Sequence, residues 1–110
     1  MPNSGQMPEY RLSPDAEADL ESIARYTVET WGTDQAREYQ TGLVSCFKAI
    51  ASGTARTTVP IAQRPEFCSL HCQHHYVFAL LESGEPVSII AVLHENMDLP
   101  TRLRERLEGH

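Results

Sequence analysis

Pro86-Val87-Ser88-Ile89-Ile90-Ala91-Val92-Leu93-His94-Glu95-Asn96-Met97-Asp98-Leu99-Pro100 decides the reading of this chain. Val87 to Leu93 is dominated by β-branched and aliphatic side chains that suit a pleated, covered surface. The apolar run then stops in a polar knot, and Pro100 cannot donate to a sheet ladder, so the strand ends here. Reading backwards, Glu82-Ser83-Gly84-Glu85 is a hairpin turn in which Gly84 can take positive φ. His75 to Leu81 is a second strand, apolar on both faces and therefore central. Cys72-Gln73-His74 is a turn, and Phe67 to His71 is a further strand. The C-terminal half thus reads as a three-stranded meander, followed by a short charged helix starting at Asp98 or Thr101.

The other half has helical periodicity. Pro8 to Leu12 is a short strand with Tyr10 and Leu12 on one face. Ser13 can cap a helix and Pro14 suits its first position, while Asp15, Glu17 and Asp19 place negative charge at the positive end of the dipole. Ala16, Leu20, Ile23, Thr27 and Trp31 recur at helical spacing and predict its buried stripe. Gly32 ends this helix and Thr33 or Asp34 starts another, with Ala36, Tyr39, Leu43, Phe47 and Ile50 facing inward. So short a joint forces an antiparallel helical hairpin. Residues 53 to 66, with Gly53, Pro60 and Pro65, read as a connecting loop.

A chain of 110 residues is one domain with one modest core, here expected over residues 8–108. Met1 to Met7 lacks the basic start and apolar core of a secretory signal; we expect a flexible tail, with Met7 as an alternative start. No apolar run approaches the ~20 residues of a membrane span. The three cysteines, an odd number without a signal peptide, are expected as reduced thiols in a cytoplasmic protein, with Cys46 a small core residue. The formal charge of −6 argues against a protein that holds nucleic acid mainly through phosphates.

Several strings, in order, carry a resemblance. Val92-Leu93-His94-Glu95-Asn96-Met97-Asp98-Leu99-Pro100 resembles the C-terminal signature of the RelE/ParE toxins of type II toxin–antitoxin systems, and of the ParE branch in particular. Leu12-Ser13-Pro14-Asp15-Ala16-Glu17-Ala18-Asp19-Leu20 is similar to the family's opening, and Tyr26 to Gly32 to the end of its first helix. Ser69-Leu70, His75 and Phe78 match a ParE-type segment of the first two meander strands. The resemblance spans about Tyr10 to Leu107. It implies an α+β fold: an N-terminal strand, an antiparallel helical hairpin packed on a mainly antiparallel sheet, and a C-terminal meander. Departures concentrate on one strand and turn. Cys68 and His71 stand where relatives commonly carry basic residues, Gln73 replaces a turn glycine with His74 beside it, and Ala79 and Leu80 replace aromatic and basic residues.

Within this superfamily the residues must choose between two activities. Cleaving mRNA through a 2′-hydroxyl needs an acid, a base and fixed cations for the transition state. His71, His74, His75 and His94 can move protons near neutral pH, but between Pro65 and Thr101 there is no Arg or Lys. Neutral imidazole does not replace a guanidinium fork on phosphate. His75 is expected to make a structural hydrogen bond, and His71 and His74 to be exposed at a turn. A zinc site on Cys68 and Cys72 fails because their Cα atoms, on one strand, would be about 13 Å apart; a turn site of Cys72, His74 and His75 is the remaining metal alternative, and we expect none. No cofactor is expected. The acidic start of the first helix and the Arg102, Arg104, Arg106 run, interrupted by Glu105 and Glu108, read as solvated surfaces.

The resemblance therefore implies a ParE-like toxin that is not an enzyme: it would bind DNA gyrase, block replication and arrest growth. A cognate ParD-like antitoxin would neutralise it in a hetero-oligomer, laying a helix beside the hairpin and adding a segment to a sheet edge. Candidate antitoxin contacts are Leu20, Ile23, Tyr26, Tyr39 and Leu43. Candidate target contacts are His71, Gln73 and His74 at the first meander turn, and His94, Glu95 and Asn96 at the end of the last strand. The alternatives are a RelE-like ribosome-dependent mRNA interferase and a non-toxic member that only binds its antitoxin.

Overall fold

The computed structural model describes residues 10–108, so the expected tail of residues 1–7 lies outside the described residues. In chain order the elements are β1 (Tyr10–Leu12), α1 (Pro14–Trp31), α2 (Thr33–Ser52), β2 (Phe67–Cys72), β3 (His75–Leu80), β4 (Val87–His94) and α3 (Leu99–Glu108). The sheet order is β1-β4-β3-β2, with β1 parallel to β4 and the meander antiparallel. The architecture is α+β, with the hairpin on one face of the sheet and α3 on the other.

Local chemistry sets the helix ends. The Ala16 amide donates to Ser13 Oγ at 3.1 Å, and Pro14 occupies the first helical turn. Gly32 alone joins α1 to α2; its φ of +94° is where a side chain would be strained, and it folds the helices back on each other. The Thr101 hydroxyl donates to Asp98 Oδ2 at 2.8 Å, so Asp98 caps α3 rather than starting it.

One core lies between hairpin and sheet, built on Ala16, Ile23, Leu43, Phe47, Ile50, Val77, Ala79, Ile89 and Val92. Phe47 and Leu43 are fully buried, each contributing about 1.5–3 kcal/mol by removal from water. A second cluster under α3 holds Phe67, Phe78, Ile90, Ala91, Leu93 and Leu103. Trp31, expected in the buried stripe, is instead 65% exposed: it is the last residue of α1, at the Gly32 joint, and stands outside the core between hairpin and sheet.

The pairing slips where Phe78 faces Ala91 and Ala79 faces Ile89, leaving Ile90 as an extra residue on β4. This bulge turns both Ile90 and Ala91 toward α3 and returns Val92 to the hairpin core. β1 covers β4 only as far as Ile89, so side chains satisfy the backbone beyond it. Arg106 Nη1 donates to the Ile90 carbonyl at 2.8 Å, and the Val92 amide donates to Asp19 Oδ2 at 2.9 Å. Arg106 also grips the Asp19 carboxylate with two bonds of 3.0 and 3.2 Å. The expectation of solvated acidic and basic runs fails at these two residues: one clasp ties α1, β4 and α3 together.

Candidate functional site

The β2–β3 turn places the first group of candidate residues. Cys72 pairs with His75, leaving Gln73 and His74 as the two central residues. Gln73 has φ +60°, a conformation that costs a side chain about 1–2 kcal/mol. Two contacts with α2 offset this. The Gln73 amide donates to the Tyr39 carbonyl at 3.0 Å, and the side chain lies so close over Gly42 that a Cβ there would meet it at 2.8 Å. Gly42 is therefore a seat for the turn.

Tyr39 orders the next layer. Its hydroxyl accepts from the His74 backbone amide at 3.0 Å, and its own proton is assigned toward His75 Nδ1, 2.6 Å away. That assignment makes His75 a neutral imidazole carrying its proton on Nε2. Burial, then the neighbouring His94 and His74, lower the His75 pKa to about 4, against the opposing pull of Glu95 and Asp19. The His94 ring meets it edge to face at 5.1 Å. Burial in turn raises the Tyr39 phenol above its ordinary value. His75 thus makes the structural hydrogen bond expected of it.

The end of β4 closes the patch. The Glu95 amide donates to the His74 carbonyl at 3.0 Å. The Glu95 carboxylate meets His71 Nε2 at 2.7 Å and His74 Nδ1 at 3.1 Å, and these two bonds hold it below the usual carboxylate range. His71 stacks on Tyr76 at 4.5 Å, and the Asn96 amide donates to His94 Nδ1 at 3.0 Å. His71, Gln73, His74, His94, Glu95 and Asn96 therefore form one continuous polar surface across two strand ends. His71, Gln73, His74 and Asn96 are exposed, and His94 and Glu95 half-buried.

The antitoxin candidates divide. Leu43 is completely buried and Ile23 nearly so; both hold the core and neither offers surface. Leu20 and Tyr39 are half-buried against that core. Tyr26 is 65% exposed, and Val28 and Trp31 are exposed further along α1.

A second concave feature lies on the α3 face. An open groove of about 770 Å³ runs between the sheet, at Tyr76 and Phe78, and α3, at Leu103 and Leu107, with Arg64 and Arg104 in its lining. Arg64 also pairs with Glu66 and stacks over Phe67.

Two expectations about cysteine are corrected. Cys46 and Cys72 are joined in a disulfide between α2 and the end of β2, so two of the three thiols are not free. Cys46 is half-buried at the side of the core rather than within it. Cys68 is the buried thiol, and burial raises its pKa. With Cys72 committed to Cys46, the turn set of Cys72, His74 and His75 loses a ligand; among the described residues no three His, Cys, Asp or Glu side chains converge on a metal position. The residues missed by sequence reasoning are Asp19, Arg106 and the Cys46–Cys72 pair. Asp19 and Arg106 are 87 positions apart, and no local pattern links them.

The patch sits at the strand ends that carry the polar signature. Residues 10–99 match the family model described as ParE toxin of type II toxin–antitoxin system, parDE. This chain belongs to the ParE toxin family. It is similar to Toxin ParE of Escherichia coli, at 43% identity over 94% of this chain and all of that one. It is also similar to Toxin ParE1 of Caulobacter vibrioides, at 33% identity over 88% of this chain and 99% of the relative. The fold matches a chain of the chromosomal ParDE system of P. aeruginosa with a TM-score of 0.65 at 17% identity, over 80% of this chain and 96% of that one. The family span includes the whole histidine–glutamate patch and Asp19, and stops before Arg106. Family membership makes the chain the toxin component of a type II toxin–antitoxin pair. Among the described residues no helix is long and apolar enough to cross a membrane.

Proposed function

We propose that this toxin acts in the cytoplasm by binding DNA gyrase, stabilising the enzyme's cleaved intermediate and blocking replication, with no catalytic group of its own. One observation carries the reading: the exposed patch offers imidazole, amide and carboxylate groups ready for hydrogen bonding, and its strands hold no fixed cation to neutralise a phosphoryl transition state. Such a surface suits protein recognition. Its members are His71, Gln73, His74, His94, Glu95 and Asn96.

Neutralisation falls to a cognate ParD-like antitoxin. The exposed ring of Tyr26 and the half-buried Leu20 and Tyr39 offer anchors for an amphipathic helix, while Ile23 and Leu43 stay in the core.

The test is a supercoiling and cleavage assay with purified gyrase. The expected result is loss of supercoiling with accumulation of cleaved DNA, weakened about tenfold by His74→Ala or Glu95→Ala. A second reading, ribosome-dependent mRNA cleavage, draws support from the α3-face groove, where Arg64 and Arg104 supply guanidinium groups from outside the strands to a lining that also includes Tyr76. Intact gyrase function together with cleaved transcripts that disappear in Arg104→Ala would establish that reading instead. Normal growth on expression of the chain alone would indicate a member that only binds its antitoxin.

A further inference from the structure

We propose that Cys46 and Cys72 form a redox-controlled clamp on the β2–β3 turn, opened and closed by a low-molecular-weight thiol–disulfide couple. Three residues along one side of α2 receive that turn. Tyr39 binds His75 and the His74 amide, Gly42 seats Gln73, and Cys46 holds Cys72. The first two contacts are non-covalent and persist whatever the state of sulfur. The third exists only when the pair is oxidised.

The site accommodates both states. The two Cα atoms are 6.5 Å apart, within the reach of a disulfide. Cys72 Sγ lies 3.6 Å from the Gly42 carbonyl, so a reduced Cys72 has an acceptor for its S–H without moving. Access is asymmetric: Cys72 is buried, 3% exposed, whereas Cys46 is half-buried and faces solvent in part. Exchange therefore starts at Cys46. Its thiolate attacks a small disulfide, RSSR, forming a Cys46–SR mixed disulfide and expelling one RS⁻. The Cys72 thiolate then attacks Cys46 Sγ, closing the internal bond and expelling the second RS⁻. Two protein thiols are oxidised and one RSSR is reduced to two RSH. Reduction runs the same steps in reverse. In a glutathione-buffered compartment such a pair is not permanently oxidised, which suits sensing rather than scaffolding.

The crosslink adjoins Gln73 and His74, two of the exposed residues of the polar patch. Closing it removes freedom from that turn, and opening it leaves the turn held by Tyr39 and Gly42 alone. The clamp concerns how rigidly the patch is presented and does not depend on what the patch binds.

The purified full chain is equilibrated with oxidised or with reduced glutathione, alkylated under native conditions and weighed intact, with amide hydrogen exchange recorded in parallel. Oxidised glutathione is expected to protect Cys46 and Cys72 together with no retained glutathione. Reduced glutathione exposes Cys46 to the reagent, and Cys68 stays unlabelled in both. Amides of Gln73 and His74 exchange at least about tenfold more slowly in the oxidised form. Cys46→Ser abolishes this difference while keeping the slow exchange of β3 and β4. A stable glutathione adduct on Cys46, or equal exchange at Gln73 and His74 in the two states, overturns the clamp.

Discussion

Two charged constellations are anchored on β4, and they differ in nearly every physical respect. The Asp19–Arg106 clasp lies beside the bulge; both side chains are less than one-fifth exposed and make two parallel bonds as well as bonds to backbone. Asp19 holds the Arg106 pKa above its ordinary value. Glu95, four residues past Ala91 at the strand end, shares its carboxylate between two exposed imidazoles. The clasp uses a cation that stays charged across accessible pH, and every hydrogen-bonding direction it aims inward is satisfied. The Glu95 cluster sets one carboxylate between two exposed imidazoles and leaves its outer edges open to water. Similar chemistry therefore serves the fold in one place and remains available to a partner in the other.

Removing one member of each constellation sharpens the contrast. Asp19→Ala should cost about 3–4 kcal/mol, since it strands a half-buried guanidinium and the Val92 amide together. Urea unfolding measures this, and a midpoint equal to wild type would mean the clasp is only decoration. Next in size is the pH response of His75, which borders the cluster and is buried. Its folded pKa of about 4 lies below the unfolded value of 6.5, so the unfolded chain binds the extra proton between them. The stabilisation is fully present above pH 6.5 and is lost as pH falls toward 4, by up to about 3 kcal/mol. Unfolding followed across that window, in wild type and in His75→Gln, separates this group from the rest. A slope that survives the substitution would place its origin elsewhere.

The smallest effect on stability belongs to Glu95→Gln. Its partners are exposed imidazoles, so the urea midpoint should fall only slightly, while gyrase inhibition falls about tenfold if the patch contacts the target. A variant that unfolds would make Glu95 a structural residue like Asp19. A stable variant with full inhibition would remove it from the contact surface.

Much of this contrast was readable in the residue order. The alternation and turn chemistry of 67–100 located the meander, and Ser13-Pro14 and Gly32 placed the helix ends, because caps and turns are decided by atoms a few positions apart. The polar knot at His94-Glu95-Asn96 stood out because it interrupts an apolar run. By contrast Leu43 and Tyr26 both fall on apolar helical positions, and periodicity cannot tell which ends beneath the sheet and which at the open tip of the hairpin. The same limit misplaced Trp31.

Local order along the chain was enough to settle the element sequence, the α+β class and the region where polar candidates gather. Three-dimensional packing alone settled the partners: Arg106 with Asp19, Cys46 with Cys72, and Tyr39 between His74 and His75. Each of these contacts joins residues far apart in the chain: Arg106 meets Asp19 beside the β4 bulge, and Tyr39 and Cys46 meet the β2–β3 hairpin where α2 packs against it. Short-range preferences act through neighbouring atoms and leave a pattern in the sequence, whereas charges and sulfurs that meet across elements leave none until the chain has closed around them.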